Sequence, residues 1–139
     1  MIVLDTNVLS ETLRPNPADS VKRWIEAQPP TSLFTTAICE AEILYGVALL
    51  PDGRRRSALQ DAVAAIFAED FLGRILAFDS TAARAFADLA AVRRQSGRPI
   101  AKFDAQIAAI AFAHGAAVAT RNVDDFANCG IKVISPWEE

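Results

Sequence analysis

The stretch Met1-Ile2-Val3-Leu4-Asp5-Thr6-Asn7 decides the fold. Three consecutive apolar residues run into an acid, a hydroxyl and an amide. The apolar run does not alternate with polar residues, which suits a strand covered on both faces, and Asp5-Thr6-Asn7 suits a turn that caps a helix beginning near Asn7. The same alternation continues outward along the chain. Further short strands are expected over residues 33–36, 75–78, 117–119 and 132–134. Between them helices are expected over 19–28, stopped by Pro29-Pro30, over 37–50, ended by Pro51-Asp52-Gly53, and over 54–71. Two more are expected over 80–95, before the break Ser96-Gly97-Arg98-Pro99, and over 103–114, closed by Gly115. Short apolar strands separated by longer helices predict an α/β, three-layer fold with a central, mainly parallel sheet of roughly five strands flanked by helices.

Of the 139 residues, 52% are hydrophobic and 22% charged, a balance that fits one domain over 1–139 with a real core. Acids number 17 against 14 Lys and Arg, a net charge of −3, so nothing in the overall charge draws the chain to nucleic acid; such contact would rest on local basic patches. Cys39 and Cys129 have no zinc or redox spacing and read as buried free thiols in a reducing cytosol. Neither a signal peptide nor a run of the ~18 apolar residues needed to span a bilayer is evident, so a cytoplasmic protein without membrane association is expected.

In open parallel sheets ligands sit beyond the carboxyl ends of the strands, where Asp5, Thr120 and Asn122 fall. Asp5 alone reads equally well as a helix cap. Glu40 and Glu42 are the only ionisable carboxylates of the helix 37–50, which is apolar on nearly every face and is expected to be buried; a buried carboxylate needs a partner or a metal. Ile38, Glu42, Tyr45 and Leu49 form one stripe there, yet periodicity does not choose between Glu40 and Glu42. Asp104 opens the last long helix, on which Phe103, Ile107, Ile110 and Ala111 are expected to face inward; a lone acid there suits the helix dipole by ~0.3–1 kcal/mol. Taken together, carboxylates with no adjacent Lys or His to act as acid or base suit a hard divalent cation with oxygen ligands.

The segments Ile2-Val3-Leu4-Asp5-Thr6-Asn7-Val8, Glu42-Ile43-Leu44-Tyr45-Gly46, Asp104-Ala105-Gln106-Ile107-Ala108-Ala109, Ala119-Thr120-Arg121-Asn122 with Asp125-Phe126, and Ser135-Pro136-Trp137 resemble, in order, PIN-domain ribonucleases, the VapC/FitB-like toxins of type II toxin–antitoxin pairs. The similarity runs from Met1 to Trp137. It implies a Rossmann-like PIN fold and selects Glu42 over Glu40, because the family's acid precedes a Tyr-Gly pair. It also implies an endoribonuclease dependent on Mg²⁺ (or Mn²⁺), with Asp5, Glu42 and Asp104 as catalytic and metal-binding residues. Cleavage leaving a 5′-phosphate and a 3′-hydroxyl, a homodimer, and inhibition by a VapB/FitA-like antitoxin are further implications. Many members carry a fourth acid after Thr120 where this chain has Asn122, so Thr120, Asn122 and Asp125 are accessory candidates, with Asp124 nearby.

Two other readings stand beside this one. Leu4-Asp5-Thr6-Asn7 resembles the nucleophile motif of haloacid-dehalogenase phosphatases, but the second acid of that motif is replaced by Asn7. A binding module with a vestigial metal site is the other. Among the basic residues, Arg93, Arg94, Arg98 and Lys102 precede Asp104 and are candidate RNA phosphate contacts, whereas Arg54-Arg55-Arg56 reads as a solvated helix start. Asp79 reads as a helix cap, His114 as a dipole partner at a helix end, and Trp24, Tyr45 and the phenylalanines as mostly core. The helices from Asp19 and from Ala37 look apolar enough for part of their surface to be covered by another chain.

Overall fold

The computed structural model describes residues 1–138. Its five strands, β1 (Ile2–Leu4), β2 (Leu33–Thr36), β3 (Ile75–Leu76), β4 (Ala117–Ala119) and β5 (Val133–Ile134), form one sheet in the order β3-β2-β1-β4-β5. All pairings are parallel, and β1 is central, with Ile2 beside both Leu33 and Ala117. Val3 and Leu4 are almost completely buried, as an uninterrupted apolar run between two helical layers requires. The chain builds outward from β1 to β3 and then returns to the other side of β1 with β4. The strand order therefore reverses between β1 and β4, which places a crevice beyond their carboxyl ends.

The helices are α1 (Thr6–Thr12), α2 (Asp19–Glu26), α3 (Ala37–Ala48), α4 (Arg54–Ala65), α5 (Ser80–Gln95) and α6 (Lys102–Ala113). The α/β architecture and the parallel five-stranded sheet thus agree with the sequence reading, and most boundaries fall within a few residues of it. The expected helix 54–71 ends as an α-helix at Ala65 and continues as a π-helical turn, Ile66–Asp70, in which the Phe71 amide reaches back to the Ile66 carbonyl. α6 is the most deeply buried helix. Ala105 and residues 107–111 are all buried, and the alanines among them let it lie close against the sheet and α5. Asp79 caps α5 as expected, its Oδ1 accepting the Ala82 amide at 2.9 Å, and both cysteines are buried free thiols.

Three burial expectations are corrected. α3 is buried along only one stripe, Cys39, Ile43 and Val47, whereas Leu44, Tyr45 and Leu49 are 50%, 67% and 66% exposed. A helix apolar on every side gives no periodic signal of which side turns inward, and the stripe at i, i+4, i+8 that meets the core is not the one holding Glu42. α2 presents a polar surface to solvent because Val21, Trp24 and Ile25 turn towards the core. Phe103, placed inward on α6 from its spacing, is instead 56% exposed in the first turn of that helix.

Candidate active site

Asp5 leaves β1 and becomes the N-cap of α1, because the backbone turns from extended to helical at this residue. Its Oδ1 accepts the Thr6 amide at 2.8 Å and its Oδ2 accepts the Thr120 hydroxyl at 2.8 Å. Thr120 lies at the end of β4, fully buried, and its Oγ1 in turn accepts the Asn7 Nδ2 at 3.2 Å and the Asn122 amide at 3.1 Å. Asn7 Oδ1 closes the arrangement by accepting the Arg121 amide at 3.1 Å. One buried hydroxyl therefore ties the end of β4 to the end of β1 and fixes the orientation of the Asp5 carboxylate.

Glu42 reaches the same place from α3, its Oε1 accepting the Thr6 hydroxyl at 2.8 Å. Asp104 approaches from the first turn of α6 and is half-buried. All three acids line one cleft of about 520 Å³ together with Thr6, Asn7, Ser10, Glu11, Arg14, Arg121 and Asn122. The cleft is the crevice beyond β1 and β4. Glu40, the other acid of α3, is not part of its lining, so the geometry also separates Glu42 from Glu40.

The electrostatics reflect acids gathered without enough positive charge. Burial raises the Asp5 carboxyl above its usual range; hydrogen bonds from Thr120 and Thr6 oppose this, and the charges of Glu42 and Asp125 add to it. Asp104 is raised to about 6, first by burial and then by Asp5, Asp125 and Glu42. Asp125, exposed in the short 3₁₀ turn Val123–Phe126, thus contributes negative charge felt at both acids. Asn122 lines the cleft as a neutral amide, and Asp124 does not take part in either shift.

The sequence profile of the PIN domain matches residues 2–132. The chain belongs to the PIN-domain family. A VapC ribonuclease of Sinorhizobium fredii is 44% identical to this PIN domain over 138 residues, covering 99% of each chain. The toxin FitB of Neisseria gonorrhoeae is 37% identical over 139 residues, covering 100% of each. Among solved structures, the crystal structure of FitAcB from the same organism overlays this PIN domain with a TM-score of 0.94 at 37% identity, again covering 100% of each chain.

The basic residues are distributed differently from the sequence expectation. Arg93 is only 5% exposed, and its guanidinium donates to the backbone carbonyls of Arg98, Asp125 and Ala127, which removes it from the candidate RNA contacts. Arg94, Arg98 and Lys102 are exposed but are not part of the cleft lining. The cations at the cleft are Arg14, paired with Glu11 at 3.5 Å, and Arg121, whose guanidinium lies 5.2 Å above the Trp137 ring. Arg121 had a sequence signal, since it stands within the polar turn after β4; Arg14 had none, because it lies past the end of α1 in the irregular turn before Pro15-Asn16-Pro17, where no periodicity gives a direction. Glu11, also unforeseen, is buried and accepts the Ala18 amide at 3.1 Å, a structural engagement.

The donor set suits a hard divalent cation: it is made of carboxylate, hydroxyl and amide oxygens, free of thiolate and imidazole, with too little positive charge to offset it. Among the described residues no three acidic, His or Cys side chains stand together as a ready-made metal cage.

The raised Asp104 carboxyl has a consequence for stability. A folded-state pKa above the unfolded value favours the protonated native form, so this contribution is present below pH ~4 and is lost as pH rises through about 6. In EDTA the melting temperature of the protein, compared with that of Asp104→Asn, should therefore fall across that window. Added Mg²⁺ should oppose the fall by favouring the carboxylate. Parallel melting curves for the two proteins from acid to neutral pH would refute this.

Proposed function

We propose that this PIN domain is a divalent-metal-dependent endoribonuclease and the toxic member of a VapBC-type toxin–antitoxin pair. The observation that carries the reading is the convergence of Asp5, Glu42 and Asp104 on one cleft at the sheet's switch point, with Asp5 oriented by Thr6 and Thr120. The names of the VapC ribonuclease and FitB relatives support the substrate class and the toxin role.

Asp5, Glu42 and Asp104 would hold Mg²⁺ or Mn²⁺, and a bound ion of this kind supplies Lewis acidity, which makes water a better nucleophile and offsets charge on the phosphate. The chain's own residues provide the rest. Thr120 and the Thr6 amide keep both Asp5 oxygens in a fixed direction, and the Thr6 hydroxyl does the same for Glu42. Arg14 and Arg121 stand at the cleft to pair with phosphates of a bound RNA. Hydrolysis forms a bond from water oxygen to phosphorus and breaks the P–O3′ bond, leaving a 5′-phosphate and a 3′-hydroxyl.

The exposed Leu44, Tyr45 and Leu49 of α3 support burial of that face by another chain. We assign it to a second copy, with a VapB/FitA-like antitoxin reaching the acidic cleft. A monomeric mass at micromolar concentration would contradict the dimer. The toxin reading is tested by induced expression in bacteria. Growth should stop with the parent chain and continue with Asp5→Asn at equal protein level; growth arrest by both would remove the cleft from the explanation.

A further inference from the structure

Arg93 sits in the last turn of α5, and a buried guanidinium whose recorded partners are carbonyls and a thiol rather than a carboxylate needs a reason, because removing a charge from water is costly unless its donors are satisfied. Its donors are satisfied by carbonyls from two separate segments. Nε donates to the Arg98 carbonyl at 2.7 Å, and Nη1 donates to the carbonyls of Asp125 and Ala127, each at 2.9 Å. Cys129 Sγ lies 3.7 Å from the same nitrogen. One of the two segments leads to a cleft acid, and the other holds Asp125, which stands outside the cleft lining. Arg98 belongs to the loop that leads from α5 into α6, where Asp104 stands in the first turn. Asp125 and Ala127 belong to the 3₁₀ turn and its exit, and the Asp125 charge is felt at Asp5 and Asp104.

We propose that Arg93 is a positioning residue, a planar brace that fixes the Asp125 turn against the lead-in to Asp104 and so sets where the Asp125 carboxylate stands relative to the cleft. The inference rests on the cleft being the cation site of the proposed function. Arginine suits this task where lysine does not, since its rigid fork reaches carbonyls in two directions at once, whereas an ammonium is a point donor on a flexible stem. The brace grips the Asp125 backbone carbonyl, so Asp125→Asn keeps the brace and removes only the charge it positions.

That difference supplies the test. Mn²⁺ binding is titrated by the loss of the free-ion electron paramagnetic resonance signal in the parent, Arg93→Lys, Asp125→Asn, the double variant and Asp104→Asn. Arg93→Lys should weaken binding by about 10-fold, within the range for residues that orient ligands. In the Asp125→Asn background it should weaken binding no further, because the two changes then act through one group. Equal weakening in both backgrounds, or none in either, overturns the proposal. Asp104→Asn separates this failure from that of the underlying reading: unchanged Mn²⁺ binding there removes the cation site, and Arg93 with it. Should Arg93→Lys fail to fold, the parent protein gives the answer by nuclear magnetic resonance. The Arg93 Nε–H signal should shift along the same Mg²⁺ titration curve as the Asp125 amide; a shift of Asp125 with a stationary Arg93 signal overturns the brace.

Discussion

Asp104→Asn should lower RNA cleavage by more than ~100-fold, beyond the loss expected for residues that only orient a cation ligand, while the protein remains folded. The side chain keeps its size, it is half-buried in the first turn of α6, and no hydrogen bond from it holds another element in place. What changes is charge. Asp104 is raised to about 6 by burial and by Asp5, Asp125 and Glu42, so at neutral pH it is an anion held in unfavourable surroundings until a cation joins it. An amide relieves that repulsion and gives up the attraction to the ion. The apo-protein should therefore be as stable as the parent or more so, while cleavage is lost. A variant that is unstable and also inactive would count against a functional origin for the raised carboxyl.

Thr120→Val is expected to reduce cleavage by ~10–100-fold without touching any acid. Valine fills nearly the same volume at a fully buried position, so packing changes little. It removes the hydroxyl that donates to Asp5 Oδ2 and that accepts from Asn7 and the Asn122 amide. Asp5 is then held only through Oδ1 by the Thr6 amide, and the Asn122 amide loses its partner. Leaving buried polar groups unpaired costs ~1–3 kcal/mol, so a fall in unfolding free energy of that order should accompany the kinetic loss. Thr6→Val provides the contrast, since the Thr6 hydroxyl reaches Glu42 and leaves Asp5 held by Thr120 and the Thr6 amide. Equal activity of Thr120→Val and the parent protein would show that Asp5 is held by α1 alone.

Much of this was legible before any coordinate. Runs such as Ile2-Val3-Leu4 are short, apolar and without alternation, and that pattern belongs to strands covered on both faces, so the parallel sheet follows, and with it the position of Asp5 at a strand end. What could not be read was direction. Arg93 and Arg94 are neighbours on one helix, about 100° apart around its axis, so one turns inward and the other faces solvent, and charge type alone does not say which. The same holds for α3, where an apolar residue at nearly every position removes the contrast on which periodicity depends. Glu42 rather than Glu40 followed from the family resemblance; the geometric reason, a hydroxyl from Thr6 thirty-six residues earlier in the chain, is a tertiary contact with no local sequence signature. Asp125 is similar, since its influence on Asp5 and Asp104 arises from how the turn after β4 packs against α5 and α6.

The central claim is that the acids just beyond β1, midway along α3 and in the first turn of α6 cleave RNA with the help of a divalent ion. It is tested most directly by one cleavage assay on end-labelled RNA, using protein freed of metal with EDTA and then supplied with Mg²⁺ in steps. The account predicts no cleavage in EDTA, recovery that rises with Mg²⁺ to a plateau, and no recovery at any concentration for Asp104→Asn prepared in the same way. Cleavage by the parent that persists undiminished in EDTA, or full recovery in Asp104→Asn, would contradict it.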